Sequence, residues 1–204
     1  KNAVIENNGS FTFAYFSKFL SKNYYFSTIF NSFKVSLAAT ALTLIIGTPL
    51  AYFYNMYKIK GKTFLQIIII LCSMSAPFIG AYSWILLLGR NGLITNTLKN
   101  LTGFNVPSIY GFGGILLVLC MQLYPLVFLY VSGALRNIDN SLLEASENMG
   151  CTGTKRFFKI IIPLCIPTIL AAALMVFMRA FADFGTPLFI GEGYRTFPVE
   201  IYNQ

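Results

Sequence analysis

The sequence predicts an all-α, polytopic transmembrane helix bundle, and three observations support this fold class. Hydrophobic residues make up 56% of the 204 residues, which is more apolar side chain than one soluble core of this size would bury. Charged residues make up only 11%. Four apolar stretches reach the roughly 20 residues that a helix needs to cross about 30 Å of hydrocarbon. We therefore expect a multi-pass membrane protein surrounded by a lipid bilayer.

The four predicted spans are residues 35–54, 64–89, 113–135 and 164–189. Each contains at least one proline, in order Pro49, Pro77, Pro125 and Pro167. A proline removes one helical hydrogen bond, and in lipid the freed carbonyl needs a partner from a neighbouring helix or side chain. We therefore expect kinked helices that pack on one another. Gly47 and Ala51 form a small-xxx-small face on which another backbone can approach closely.

The basic residues lie mainly in two of the connections between spans. These are Lys58, Lys60 and Lys62 after the first span, and Arg136, Lys155, Arg156 and Lys159 after the third. Because cytoplasmic loops are enriched in Lys and Arg, both connections are predicted to face the cytoplasm. The net charge of +8 thus reflects topology. No amphipathic face gathers the basic residues, so nucleic acid is not an expected partner.

Residues 1–204 are interpreted as a single transmembrane domain. Neither an internal repeat nor a low-complexity linker divides the sequence. The chain begins at Lys1 and ends at Gln204 in a polar connection, and we expect it to be incomplete at both ends, with further helices on both sides. The connection at residues 90–112, rich in Gly, Asn and Thr, is predicted to be a loop with a short interfacial helix.

The polar loop at residues 136–163 contains the most specific pattern. Ser141 and Glu144 have the spacing of a capping box, which predicts that a helix begins there. Gly150 can adopt the left-handed conformation that ends a helix. These residues predict a short helix on the cytoplasmic side of the membrane.

One face of this short helix is predicted to be apolar. Leu142, Ala145 and Met149 recur at helical spacing, and an exposed apolar stripe with a polar rim is commonly a docking surface. The alternative is that the helix lies on the inner membrane surface. The acidic residues of the segment argue against attraction to anionic lipid headgroups, so docking is the favoured interpretation.

At this loop the sequence resembles a known family. Glu144-Ala145-Ser146, followed after three residues by Gly150 and after nine more by Ile160, with Ile162-Pro163 beyond, is similar to the EAA loop of the permease subunits of binding-protein-dependent ABC importers. Ser146 replaces the second Ala of that pattern, and Ile162 replaces a Leu. The runs 181–194 and 199–204 resemble the first half of ferric-iron-type permeases, in which two such halves are often fused.

The resemblance implies a type I ABC importer permease fold in the bacterial cytoplasmic (inner) membrane. The segment 144–150 would be the coupling helix that enters a groove of an ATP-binding cassette subunit. The residues implied in coupling are Ser141, Leu142, Glu144, Ala145, Met149 and Gly150. Other implied partners are an extracytoplasmic solute-binding protein and a second permease half or subunit. ATP and Mg would bind the partner ATPase, and this chain would bind no cofactor.

The implied solute is ferric iron, with polyamine, sulfate, molybdate, thiamine and phosphonate as alternatives within the same importer class. A secondary transporter or channel is the alternative of another class, but it would carry polar coupling residues near the middle of the membrane, and the spans offer almost none. A membrane-embedded enzyme is disfavoured because the sequence has no His and few carboxylates. No catalytic residue and no metal ligand is therefore assigned.

Arg179 and Asp183 are the notable charges in the fourth span. An ionisable residue in a membrane is costly unless it is paired or faces water. One interpretation is an i,i+4 salt bridge on one helix face, which would satisfy both charges. The functional alternative is that the two residues line the translocation path or help to gate it.

Overall fold

The computed structural model describes residues 23–57, 60–74, 77–102, 108–151 and 153–202. Within these ranges the regular secondary structure is helical and includes no strand. The helices are α1 (Asn23–Met56), α2 (Lys62–Ser73), α3 (Pro77–Leu88), α4 (Leu93–Thr102), α5 (Phe112–Arg136), α6 (Asn140–Asn148), α7 (Gly153–Arg156), α8 (Ile162–Ala182), α9 (Gly185–Ile190) and α10 (Phe197–Tyr202). A π-helical turn, Phe157–Ile161, joins α7 directly to α8.

Among the described residues, three helical segments are long and apolar enough to cross a membrane. They are Phe26–Met56, Phe112–Arg136 and Phe157–Ala182, and they correspond to the predicted first, third and fourth spans. Their central helices α1, α5 and α8 all contact one another. These helices continue through Pro49, Pro125 and Pro167. The centre of the structure is therefore a three-helix membrane bundle.

The close approach of α1 to α5 depends on a glycine. A Cβ atom added to Gly47 would lie 2.8 Å from the Cβ of Val127 and 3.2 Å from the Tyr124 carbonyl oxygen. Atoms at 2.8 Å overlap, so a side chain at this position would push the helices apart. Ala51, about one turn further, is fully buried. The small-xxx-small face predicted from the sequence is confirmed as a helix-packing surface.

The buried face of α1 also carries a row of hydroxyl side chains, consisting of Thr28, Ser32, Ser36, Thr40 and Thr43. Several of them donate to a carbonyl one turn earlier in the same helix. The Ser36 hydroxyl bonds the Ser32 carbonyl and the Thr40 hydroxyl bonds the Ser36 carbonyl, each at 2.7 Å. The hydroxyls of Ser36, Thr40 and Thr43 are thus satisfied within α1. Their small size lets neighbouring helices pack closely.

The predicted second span, residues 64–89, is not one helix. α2 ends at Ser73, and α3 begins at Pro77. Lys62–Ser73 and the segment Phe78–Asn100 are bent by 105° relative to each other. The sequence offers a reason, since proline has no N–H to donate and disfavours helical backbone at the residue before it. The kink predicted at Pro77 is thus a break between two helices, and the structure has a fourth crossing only if this bent pair forms one span.

The predicted fourth span, residues 164–189, also needs correction. α8 ends at Ala182, and Asp183 adopts an extended backbone with φ −70° and ψ 122°. The chain then forms the separate helix α9, which packs against α3 and α5. The helical crossing itself begins earlier than predicted, at Phe157. The fourth span is therefore shifted towards the polar loop that precedes it.

The two ends of the bundle differ in which connections they bring together. At one end, Arg136, the last residue of α5, donates to the Gln66 side-chain oxygen of α2 at 3.1 Å. The two basic connections therefore lie at the same end, as the positive-inside assignment requires. At the other end, the Arg90 guanidinium forms an ion pair with Glu192 and lies 5.3 Å from the Tyr110 ring centroid. The short helix predicted within residues 90–112 is present as α4.

Candidate coupling helix and translocation cavity

The helix predicted in the polar loop is present as α6, but it begins before Ser141. The N-cap is Asp139, whose carboxylate accepts a hydrogen bond from the Ser141 backbone N–H at 3.0 Å. The predicted capping box, with Ser141 as the first capping residue, was therefore wrong. Asp at an N-cap satisfies an otherwise unpaired amide, as Ser would, and its negative charge favours the positive end of the helix dipole. The signal that was missed is the Asp two residues before Ser141.

The end of α6 agrees with the prediction. Gly150 has φ +76°, in the left-handed region that favours glycine. The Gly150 N–H bonds the Glu147 carbonyl and the Cys151 N–H bonds the Ser146 carbonyl, both at 2.9 Å. These two bonds define a Schellman motif. Gly150 therefore turns the chain sharply at a defined residue.

The predicted apolar stripe of α6 lies exposed on its surface. Leu142 is 49% exposed and Met149, at the C-cap, is 77% exposed. Ala145 between them is also exposed. Ser146, by contrast, is only 1% exposed. Glu144 is exposed on the outer side of the helix. One side of α6 thus faces the protein, while Leu142, Ala145 and Met149 form a surface that other molecules can reach.

α6 is tied to the membrane bundle by an ion pair. The Arg156 guanidinium of α7 contacts the Glu147 carboxylate of α6. From Arg156 the chain continues through the π-helical turn, where the Phe157 ring centroid lies 4.6 Å from that of Tyr52 on α1. Ile161 at the end of the turn is buried. A continuous path of helix and packed side chains therefore links α6 to the ends of α1 and α8.

The second candidate site is a cavity of about 240 Å³ between α5 and the end of α8. It is lined by Leu119, Gln122, Leu123, Arg179, Ala182 and Asp183. Both charged residues singled out in the sequence thus line one cavity. The Gln122 Oε1 atom is buried and has no hydrogen-bond partner among the described residues. The cavity therefore combines a cation, a carboxylate and an amide within an apolar wall.

The salt bridge expected between Arg179 and Asp183 is not formed. The ion pairs observed in the described ranges do not include one between them. An i,i+4 pair requires both residues on one helix, whereas α8 ends before Asp183. The Asp183 carboxylate instead accepts the Thr186 backbone N–H at 3.2 Å. The prediction of a salt bridge was wrong because Asp183 ends α8 and begins the turn into α9.

The outer end of the bundle is closed by hydrogen bonds between α1 and the segment after α9. The Ser32 hydroxyl accepts the Phe197 backbone N–H at 2.8 Å, and the Asn31 side chain donates to the Arg195 carbonyl at 3.2 Å. The Tyr194 hydroxyl donates to the Asn31 carbonyl at 3.4 Å. Burial raises the pKa of this hydroxyl, which keeps it protonated as a donor.

The described residues offer no metal centre. Within those ranges, no group of three or more His, Cys, Asp or Glu side chains could hold a metal ion. Cys72, Cys120, Cys151 and Cys165 are free thiols. The exposed face of α6 offers apolar contacts to a partner. The cavity beside Arg179 offers polar contacts to a ligand.

A three-helix membrane bundle with a capped and exposed helix at its basic end defines a polytopic membrane protein. Residues 43–204 match the family of binding-protein-dependent transport system inner membrane components. The chain belongs to this family. It is therefore a membrane component of a transport system and not its catalytic subunit.

Two relatives illustrate the range of the family. A ferric transport system permease protein of Actinobacillus pleuropneumoniae is 29% identical over 186 residues, which cover 91% of this chain and 27% of the relative. A spermidine/putrescine transport system permease protein of Haemophilus influenzae is 28% identical over 162 residues, which cover 78% of this chain and 57% of the relative. The chain thus spans less than a third of the ferric permease.

A solved structure supports the fold assignment. It is a crystal structure of a bacterial ABC transporter involved in the import of the acidic polysaccharide alginate. The TM-score is 0.74 at 19% identity, and the match covers 97% of this chain and 73% of that chain. The predicted fold class, an all-α transmembrane bundle of the type I importer permease fold, is confirmed.

Proposed function

We propose that this chain is the membrane-spanning part of an ATP-driven importer in which α6 is the coupling helix. The single observation that carries this proposal is the exposed surface of Leu142, Ala145 and Met149 on a helix with a defined cap and end. α6 would enter a groove of an ATP-binding cassette subunit. Closure of two ATP-bound subunits would then move α6, and the path through Arg156 and Phe157 would tilt α8 and α1.

The experiment changes the left-handed residue that ends α6. Gly150→Leu places a side chain at φ +76°, which costs about 1 kcal/mol or more and redirects the chain at the coupling surface. We expect solute uptake to be abolished and the ATP-binding subunit to co-purify with the full-length permease in much smaller amount. Both uptake and co-purification are measured in the same membranes.

Gly61→Leu is the matched control for backbone strain. Gly61 has φ +82°, and a Cβ atom added there, like one at Gly150, meets no atom within 4 Å. It lies in the other basic connection, outside α6. The control should retain its ATP-binding subunit. Normal uptake and normal complex formation by the Gly150 variant would refute the coupling role.

We propose ferric iron as the solute, delivered by an extracytoplasmic binding protein to this chain and a second permease half or subunit. The 29% identity to a ferric permease and the run 181–194 support iron. The 28% identity to a polyamine permease keeps polyamine as the alternative, beside sulfate, molybdate, thiamine and phosphonate. The test is uptake of radioactive ferric iron and of putrescine by cells that lack the transporter and by cells complemented with the full-length permease. Putrescine uptake without iron uptake would replace the iron assignment.

We further propose that the cavity beside Arg179 and Asp183 belongs to the translocation path. Three features support this role: the volume of about 240 Å³, the absence of an ion pair between the two charges within the described ranges, and the unpaired Gln122 oxygen. Polar groups facing a cavity in a membrane protein commonly mark a substrate pathway. Gln122 was not singled out in the sequence, because a lone amide in an apolar span gives no spacing pattern.

A further inference from the structure

A second cavity lies at the basic end of the bundle, and its wall includes Ile138, the residue before the N-cap of α6. It has a volume of about 600 Å³ and is formed by the end of α1, the start of α2 and the end of α5. Its wall includes Tyr54, Asn55, Met56, Lys62, Gln66 and Arg136. All three contributing helices begin or end here, so the cavity lies at the level of the membrane interface.

The charge of this cavity is entirely positive. Its lining residues include two cations, Lys62 and Arg136, and no carboxylate. The ion pairs found in the described ranges involve neither cation. Two like charges facing one cavity repel each other, and a bound anion would relieve this repulsion. The cavity is therefore electrostatically suited to an anion.

Neutral groups hold the two cations in place. The Lys62 ammonium lies 4.6 Å from the Tyr54 ring centroid, a favourable cation–π distance. The Tyr54 hydroxyl and the Arg136 guanidinium both donate to the Gln66 Oε1 atom, at 2.8 Å and 3.1 Å. A guanidinium has five N–H donors, so this contact leaves others available for a ligand. The arrangement positions the cations without neutralising them.

The wall of the cavity also contains apolar side chains, those of Met56, Leu135 and Ile138. The exposed apolar stripe of α2 lies on the face opposite Lys62 and Gln66 and consists of Phe64, Ile67, Ile68 and Leu71. A ligand with a phosphate group beside the two cations and an apolar tail along Met56, Leu135 and Ile138 would match both parts of the wall.

We propose that this cavity binds the phosphate group of an anionic phospholipid, with Lys62 and Arg136 as its ligands. Basic pockets between transmembrane helices on the cytoplasmic side recognise such headgroups, and a guanidinium matches the oxygen geometry of phosphate. The Asn55 amide in the wall donates to the Ser132 hydroxyl and to the Ala51 carbonyl at 2.8 Å each, which uses both of its N–H groups and leaves the two cations as the donors. A lipid held here would tie α2 to the ends of α1 and α5.

The test is native mass spectrometry of the purified full-length permease with an equimolar mixture of phosphatidylglycerol and phosphatidylcholine. The wild type should retain phosphatidylglycerol preferentially. Because each cation that contacts the bound phosphate should contribute roughly a fivefold preference for anionic lipid, Lys62→Gln/Arg136→Gln should lower the retained ratio by roughly thirtyfold. Lys62→Arg/Arg136→Lys should keep most of the preference, which shows that the loss is one of charge and not of folding.

Lys155→Gln/Lys159→Gln is the matched control, since it removes two positive charges from the same end of the bundle at exposed residues outside the cavity. It should keep the wild-type ratio. An equal loss in this control would overturn the proposal in favour of diffuse surface charge. Displacement of phosphatidylglycerol by excess inorganic phosphate would overturn the lipid source, because the cavity would then recognise free phosphate. An unchanged ratio in the Lys62/Arg136 variant would overturn the site itself.

Discussion

Two regions of the molecule depend on a glycine for different reasons. One is the contact between α1 and α5, and the other is the end of α6. At Gly47, missing side-chain atoms let Val127 approach to a distance that a Cβ would not allow. At Gly150, a Cβ would meet nothing within 4 Å, and the requirement is the left-handed backbone. One glycine is needed for space and the other for conformation.

The two regions also differ in where their apolar side chains point. In the bundle, Val127 and Phe128 are buried against neighbouring helices, and their packing stabilises the fold. In α6, Leu142 and Met149 face outward, so their contribution to the fold is small and they remain available to a partner. We therefore expect substitutions in the bundle to impair folding, and substitutions on the exposed face of α6 to impair association with a partner.

The largest effect is expected from Gly47→Leu. A leucine there would overlap Val127 and separate α1 from α5, and overpacking of this kind costs about 1–3 kcal/mol or more. We expect little folded permease to accumulate in membranes, as measured by its yield after mild detergent extraction and by its melting temperature. Gly133→Leu on α5 is the control, because an added Cβ there meets no atom within 4 Å. A normal yield of the Gly47 variant would show that the two helices do not pack as described.

Leu142→Asp should leave the fold intact and weaken partner binding. The side chain is exposed, so the cost in stability should be within about 0.5 kcal/mol. If Leu142 is an anchor of the interface, burying a charge there should weaken association with the ATP-binding subunit by about thirtyfold, equivalent to roughly 2 kcal/mol. The measurement is the dissociation constant of that subunit from permease in lipid nanodiscs.

Leu93→Asp is the matched control for Leu142→Asp. Leu93 is 71% exposed and lies on α4, at the opposite end of the bundle. Its variant should bind the ATP-binding subunit with unchanged affinity. Equal affinities of wild type and the Leu142 variant would contradict the coupling surface, whereas equal losses in both variants would indicate a general effect on the permease.

Arg179→Gln sharpens the comparison, because it tests the proposed role of a charged residue inside the membrane bundle. Loss of one hydrogen bond from a charged donor, about 1.5 kcal/mol, should reduce solute uptake by roughly tenfold. Association with the ATP-binding subunit should be unchanged, since Arg179 lies at the opposite end of α8 from α6. Arg179→Lys retains the charge and should restore part of the uptake. Wild-type uptake by the Gln variant would remove Arg179 from the translocation path.

Much of α6 could be predicted from local sequence. Gly150 specifies its own backbone conformation, and the period of Leu142, Ala145 and Met149 requires only helical geometry. The N-cap of α6 was assigned to Ser141 and not to Asp139 because Asp and Ser have similar preferences for the N-cap position. Such a choice depends on the backbone angles of a few residues, which composition and spacing do not resolve.

The cavities could not be predicted in the same way. Gln122 and Arg179 are 57 positions apart in the sequence, and Lys62 and Arg136 are 74 apart. Their proximity follows from how α2, α5 and α8 pack, which depends on many weak contacts of side chains. The prediction of a salt bridge between Arg179 and Asp183 was wrong for a related reason. α8 ends between these two residues, and the sequence of the predicted span gave no sign of that helix end.

Length, apolarity and the position of basic residues determined by themselves that this chain crosses a membrane with two basic connections at one end, because the thickness of the bilayer and the cost of burying charge act on local composition. Local sequence also determined the exposed helix with its terminating glycine. The tertiary structure alone decided that the second predicted span bends by as much as 105°, that Asp183 leaves α8, and which charges share a cavity. These features depend on contacts between residues far apart in the sequence, and only the packed helices bring such residues together.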